Sequence, residues 1–345
     1  MRFLQIADLH IGADTGLDQN MWEILYQILK HAEQLRVGLV LVAGDIFHRQ
    51  PLKKDVIELN KMFAEFSSMK FVCIAGNHDY IKKQSYYLTA DWAENVTFLW
   101  KREMDEVVFP EWNLSVHGCS FWNYKEEAAV YDTSITLQHG RSHFLLAHGG
   151  DRNHRPFSTG ALLHQGYDYI AFGHIHKPNQ IVEGKICMAG SPIPFQSDDI
   201  GSHGYWIGTF DGKHVQLQFY PLKLKEYVVR EVEVSSDMSQ TLLQDRVLQI
   251  LESLESYQIA NVKLVGYRSW DAKPDLSGLE QHSRIGNIRD ETQPDFDFRE
   301  LRRHRPDSLE SRFLSELMEY PDQELGLSAM YYGMEAILYA KENEK

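Results

Sequence analysis

An α/β fold is predicted, with two β-sheets packed face to face and helices on their outer sides, followed by a small α+β domain and two C-terminal helices. Three observations carry that expectation. Residues 1 to 75 alternate strand-like and helix-like runs, the grammar of a parallel sheet. Residues 96 to 220 then offer one strand candidate after another with few long helices between them, too many for a single sheet. Past Pro221 the pattern changes again, to a strand, an amphipathic helix and a strand.

Each element has its local reason. Arg2 to Ala7 and Leu39 to Ala43 are short apolar runs suited to buried strands, and Leu17 to Leu35 between them carries Met21, Leu25, Ile28 and Leu35 in helical rhythm. A second helix is expected from about Leu52 to Phe66, before a strand at Phe71 to Ala75. Further strands are expected at Val96–Trp100, Leu114–Gly118, His143–Ala147, Tyr169–Phe172, Lys185–Ala189, Tyr205–Phe210 and Val215–Tyr220. Tyr227 to Val234 alternates like a strand, Ser239 to Leu254 aligns Leu243, Val247, Ile250, Leu251 and Leu254 on one helical face, and Ile259 to Tyr267 returns as a strand. The expected organisation is a large domain over 1–222, a small α+β domain over 223–270, an irregular linker over 271–297 and a helical segment over 298–345. In that last segment Leu309, Phe313 and Leu317 align on one helix, and Leu327, Met330, Met334, Ile337 and Leu338 on another; Arg299, Arg302, Arg303 and Arg305 read as a solvated helix face.

Composition bounds the function. At 43% hydrophobic and 24% charged residues the chain is ordinary for a soluble globular protein, and no window approaches a membrane span. With no secretory leader pattern and three scattered cysteines, Cys73, Cys119 and Cys187, a reducing cytoplasmic setting is expected, without a disulfide framework. The net charge of −14 lowers the expectation of a nucleic-acid partner, since phosphate binding usually relies on a basic surface. Cations held in a cleft can make the substrate path positive while the bulk surface stays acidic.

Five segments carry the chemistry: Asp8-Leu9-His10, Gly44-Asp45, Gly76-Asn77-His78-Asp79, His148-Gly149 and Gly173-His174-Ile175-His176. Each follows an apolar run, so each is expected at the C-terminal end of a strand, where α/β sheets gather ligand chemistry. Oxygen and imidazole donors suit divalent metals that act on phosphates, and two such ions, roughly 3.5–4 Å apart, need a bridging ligand. Asp8, His10, Asp45, Asn77, His148, His174 and His176 form a set of seven ligands for two ions, with Asp45 as the bridge. His78 is left outside it, poised to donate a proton to a leaving oxygen or to hold a phosphate oxygen, with Asp79 as its orienting acceptor. His48 is a second candidate for contact with the scissile phosphate, and the nucleophile expected from such a site is a metal-bridging hydroxide. Arg152 and Arg155, in a basic loop just after His148, are candidates for phosphate-backbone contact. His31, His117, His139, His143, His164 and His214 read as ordinary core or surface residues.

The series DLH, GDIFHR, GNHD, AHGG and GHIHKP resembles the calcineurin-like metallophosphoesterase superfamily. Within it, GDIFH and GHIHKP, with Gly190-Ser191-Pro192 and His203-Gly204, look like the SbcD/YhaO-type DNA repair exonucleases, the nuclease partners of coiled-coil SMC-like ATPases. The resemblance covers about residues 1 to 222. It implies a four-layer α-β-β-α double sandwich with a small capping domain and a C-terminal helical segment that docks on the ATPase. It also implies manganese as the bound ion, with magnesium or iron as alternatives, at the seven ligand positions, and a catalytic or phosphate-orienting role for His78. The activity so implied is DNA cleavage as an exonuclease, with endonuclease activity as a further option, in a chain that relatives' habits make a candidate homodimer. Phosphoproteins, cyclic nucleotides or nucleotides are the alternative substrates, and a non-catalytic scaffold of an ATPase complex is the alternative from another class.

Overall fold

The computed structural model describes residues 1–271, 273–304 and 306–343, and Arg305 of the basic helix face lies outside them. The chain divides into two compact units, Met1–Glu226 and Tyr227–Lys345.

The first unit opens with β1 (Arg2–Ile6), α1 (Met21–Gln34), β2 (Leu39–Ala43), α2 (Lys53–Glu65), β3 (Lys70–Ile74) and β4 (Val96–Phe98). Asn20 starts α1 because its side chain accepts from Trp22 N and Glu23 N while Glu23 reaches back to Asn20 N, a reciprocal cap. β1 to β4 pair in parallel, one after the next. The second series is β5 (Asp105–Phe109), β6 (Leu114–Gly118), β7 (Ser142–His148), α3 (Thr159–His164), β8 (Tyr169–Gly173), β9 (Asn179–Val182) and β10 (Ile186–Met188). The chain then returns to the first sheet through β11 (Gly204–Phe210) and β12 (Val215–Pro221). The sheet orders are β12-β11-β1-β2-β3-β4 and β5-β6-β7-β8-β10-β9.

Alternation along the strands builds the layers. Phe3, Leu39, Leu41 and Val72 of the first sheet meet Leu114, Val116, Phe144, Leu146, Tyr169 and Ala171 of the second in one shared apolar core. Leu4, Ile6, Val40, Val42, Phe71 and Cys73 face the other way, where α1 and α2 cover them with Ile24, Leu25, Ile28, Val56, Leu59 and Phe63. The outer face of the second sheet is closed by Leu162 of the short α3 and by Tyr131 and Tyr167.

The second unit contains β13 (Glu226–Val234, from Tyr227 onward), α4 (Gln240–Glu252), β14 (Gln258–Arg268), β15 (Ile285–Asp290), β16 (Gln293–Pro294), α5 (Phe298–His304), α6 (Leu309–Met318) and α7 (Gln323–Asn343). Val232, Val234, Leu243, Val247, Leu251, Val262 and Leu264 form its sheet–helix core. The segment 271–297, expected as a linker, contains β15 and β16, both parallel to β14, and it buries Leu279 in that core. Its strand character was hidden because β15 mixes Gly286, Asn287 and Arg289 among its apolar residues and shows no alternation. The small domain and the C-terminal helices therefore fall in one unit. Among the described residues no helix is long and apolar enough to cross a membrane.

Candidate metal centre

Parallel pairing brings the five segments together. β1, β2 and β3 run side by side and end at Asp8, Asp45 and Asn77; β7 and β8 run side by side and end at His148 and His174. The backbone turns sharply there: Asp8, His10, Asp45 and His174 all have positive φ, of 51°, 44°, 49° and 102°. Such conformations cost on the order of 1–3 kcal/mol each and persist only where the surroundings impose them. Gly44 and Gly76 make room. A Cβ on Gly76 would lie 2.2 Å from Asp45 Oδ1, and one on Gly44 would lie 2.5 Å from His148 Nδ1.

Six of the seven predicted ligands fall into two groups of potential metal donors, Asp8 with His10 and His176, and Asp45 with His148 and His174. Asn77 joins the second, its Oδ1 being 3.0 Å from His148 Nε2 and 2.9 Å from His174 Nδ1. Asp45 Oδ2 lies 3.5 Å from His148 Nε2 and 3.9 Å from His10 Nε2, on the boundary between the groups, which is where a bridging carboxylate has to be. His10 Nε2 and His176 Nε2 face each other at 3.1 Å.

The donor set fits divalent cations. Burial pushes the imidazoles of His10 and His174 down, to about 3 and about 4, so both are neutral and offer lone pairs. Burial also pushes Asp8 up to about 6, against the pull of His148. Burial opposes ionisation of Asp45 as well, yet the neighbouring His148 holds this carboxylate well below its ordinary range. Burial alone would push His148 down, but Asp45 and Asp8 hold it up at about 9. A proton on His148 thus balances the buried carboxylates, the place in the charge balance that a cation takes over. Among the described residues His10 Nδ1 is buried without a hydrogen-bond partner.

The other ring nitrogen of each remaining imidazole is held from behind. His148 Nδ1 donates to Ala43 O at 2.8 Å, His174 Nε2 to Asp151 Oδ2 at 2.8 Å and His176 Nδ1 to Asp199 Oδ2 at 3.3 Å. These bonds turn His148 Nε2, His174 Nδ1 and His176 Nε2 inward. Asp151 and Asp199 were missed in the sequence, where nothing marks them except Asp151's position three residues after His148.

His78 sits at the rim, half-buried, its ring 4.7 Å from that of His10 and stacked at 5.5 Å on that of the exposed His48. Its Nδ1 donates to His48 O at 3.0 Å and its backbone N–H to Asp45 Oδ1 at 2.9 Å. Asp79, expected to orient His78, does something else. Its fully buried carboxylate accepts from Ile46 N, Phe47 N, Gly76 N and Tyr87 Oη, tying the turn after β2 to the turn after β3. Adjacent side chains diverge, so the neighbour of His78 points into the core.

The two arginines also separate. Arg152 is exposed, in keeping with a phosphate contact. Arg155 is fully buried and ion-paired with Glu126 at 2.6 Å, its remaining donors spent on Cys119 O, Ser120 O and Tyr131 Oη. No donor is left for a substrate, so Arg155 is a structural residue and not a phosphate contact.

Over 290 residues the chain is 22% identical to the SbcD subunit of the nuclease SbcCD from Staphylococcus epidermidis, an alignment covering 72% of this chain and 75% of that protein. The sequence model of the calcineurin-like phosphoesterase family matches residues 1–178, just over half of the chain, and the match takes in all seven predicted ligands. This protein belongs to the calcineurin-like phosphoesterase family.

Proposed function

We propose that the chain is a two-metal phosphodiesterase that cleaves DNA, chiefly as a manganese-dependent exonuclease in cytoplasmic DNA repair, with magnesium or iron as alternative ions. The observation that carries the reading is the pair of adjacent ligand groups meeting at Asp45, with His78 outside both. Asp8, His10 and His176 would hold one ion, Asn77, His148 and His174 the other, and Asp45 would serve both. Two divalent cations bound there supply positive charge to phosphoryl oxygens and lower the pKa of water toward neutrality. His78 acts on the leaving side: with Nδ1–H committed to His48 O, its Nε2 is the atom that delivers a proton to the departing oxygen. His48, stacked on it, orients that ring and contacts the phosphate.

That the staphylococcal relative is a subunit of a nuclease supports a nucleic-acid substrate, which we take to be DNA, and a second protein as partner. We assign the partner as a coiled-coil SMC-like ATPase, docked on the C-terminal helices of a chain that can also pair with a second copy. There Leu314, Met330 and Met334 form the helices' own core, while Leu309, Leu325, Leu327 and Tyr332 remain exposed for a partner. The Met/Leu stripe is thus divided between core and surface.

The test is a substrate panel of single- and double-stranded DNA, a cyclic nucleotide, a phosphopeptide and a chromogenic phosphoester, each with manganese and with magnesium. Manganese-dependent release of nucleotides from DNA is expected. Turnover of the cyclic nucleotide or phosphopeptide with DNA left intact would overturn the reading.

A further inference from the structure

Tyr124 is an exposed aromatic residue on a hydrogen-bonded turn at the mouth of the candidate metal centre. It lies between β6 and β7, 49% exposed, with its ring 5.9 Å from that of His78 and 5.7 Å from that of His154. The His154 ring is in turn 4.6 Å from the ligand His174. The phenol therefore stands between the rim histidine and one wall of the ligand set.

An exposed loop side chain ordinarily moves freely, but this turn is clamped. Trp122 N and Asn123 N both donate to Glu126 Oε1, at 2.9 and 3.2 Å. Glu126 Oε2 takes Nε and Nη2 of Arg155 at 2.8 and 2.6 Å. The backbone is sewn to the loop after β7 as well, through Glu126 N to Asn153 O and Arg155 N to Glu126 O. Burying an ion pair is weak evidence for stability, because desolvation offsets much of the attraction. Here its product is a fixed position for the turn that carries Tyr124.

We infer that Tyr124 is a positioning residue that stacks an unpaired nucleobase of single-stranded DNA while the adjoining phosphate occupies the metal centre. The inference rests on the DNA reading above. Tyrosine brings no positive charge to a phosphate, but it offers a flat π face, and stacking is how single strands are held regardless of sequence. A base lies one sugar away from its phosphate, so a ring beside His78 meets the base of a nucleotide whose phosphate His78 serves. In a duplex that base is stacked and paired, and it reaches Tyr124 only after leaving the helix. The expected preference is for single strands and frayed ends over blunt duplex.

The experiment compares wild type, Tyr124→Ala and Tyr124→Phe on an oligothymidylate carrying one 2-aminopurine, on its blunt duplex and on an abasic oligonucleotide of the same length, which has no base. Without added metal, 2-aminopurine fluorescence should be quenched by wild type and Tyr124→Phe, with binding to Tyr124→Ala weakened about tenfold. With manganese, kcat/KM of Tyr124→Ala should fall about tenfold further on the oligothymidylate than on the abasic strand, through KM, and Tyr124→Phe should restore it. Equal losses on both substrates, or a Tyr124→Ala variant that quenches like wild type, would overturn the assignment. Wild type that binds and quenches but cleaves no DNA would instead remove the DNA-cleaving reading and leave the stacking role standing.

Discussion

Replacing Arg155 with leucine isolates what the buried ion pair does, and its magnitude follows from the bonds it makes. The guanidinium is fully buried, carries two short bonds to Glu126 Oε2, donates to Cys119 O, Ser120 O and Tyr131 Oη, and lies 4.1 Å from the centre of the Phe121 ring. Leucine fills part of the volume but leaves the Glu126 carboxylate, itself only 8% exposed, without its counter-ion. Breaking one side of a buried pair costs about 3–5 kcal/mol, because the remaining charge stays desolvated. For a unit of this size, at roughly 2–4 °C per kcal/mol, Tm should fall by roughly 6–20 °C. Thermal unfolding followed by near-ultraviolet circular dichroism measures it. Arg155→Leu combined with Glu126→Leu should recover only part of the loss, since the stranded charge is gone but Trp122 N, Asn123 N, Cys119 O and Ser120 O still lose their partners. Arg152→Glu, three residues away, should leave Tm within about 1 °C while weakening DNA binding and lowering its salt slope by about one. An Arg155→Leu protein as stable as wild type, or one with an altered salt slope and unchanged Tm, would refute the division between the two arginines.

The remaining predictions concern the centre itself. Asp45→Asn should lower manganese-dependent hydrolysis by roughly a thousandfold or more with circular dichroism unchanged, because the shared carboxylate is lost to both ion positions; near-normal turnover would remove Asp45 as the bridge. His78→Leu should keep its manganese stoichiometry by titration yet lose roughly 10²–10⁴-fold in kcat, and a drop in bound metal would instead place His78 among the ligands. Asp79 is pushed up to about 6, first by burial and then by Asp45, from an ordinary value of 3.8. The folded protein thus holds a proton that the unfolded chain releases, so the contribution is full below about pH 4 and is lost as pH rises through about 6. In EDTA, wild type should lose stability relative to Asp79→Asn across that window, and parallel Tm–pH curves would discard the argument.

The candidate metal centre was legible because its signal is local and repeated: an apolar run, then a potential ligand, five times over. Parallel strands convert that repetition into proximity, since their C-terminal ends share one side. Asp8, Asp45 and His148 could therefore be read without knowing which strand neighboured which. What could not be read depends on partners distant in sequence. Arg152 and Arg155 look alike in a basic loop, and only Glu126, 29 residues from Arg155, makes one of them structural. Asp79 looked like support for His78 because the two are adjacent, but Tyr87 and the turn after β2 claim its oxygens. Asp151 and Asp199 are unremarked loop residues until His174 and His176 are seen against them. β15 escaped for a different reason: a short parallel strand with polar and glycine positions has no period to detect.

Much of the site's specification lies in backbone, and that constrains how it works. Four residues at the ligand turns, Asp8, His10, Asp45 and His174, hold positive φ although none is glycine, and Gly44 and Gly76 sit where any Cβ would strike Asp45 or His148. Strain of that kind persists only where the surrounding structure over-determines it. The over-determination is visible. The strands leading into the turns are buried on both faces, and Asp79 bonds the second turn to the third. Asp8 Oδ1 and Oδ2 accept from His174 N, joining the first sheet's turn to the second's. The predicted ligand atoms are therefore gathered by the fold, with three of the imidazole rings already held from behind by Ala43, Asp151 and Asp199. For the reaction proposed above, a centre arranged in this way would need little reorganisation as ions and substrate bind, and preorganised groups aimed at developing charge are usually the largest single contribution to lowering such a barrier.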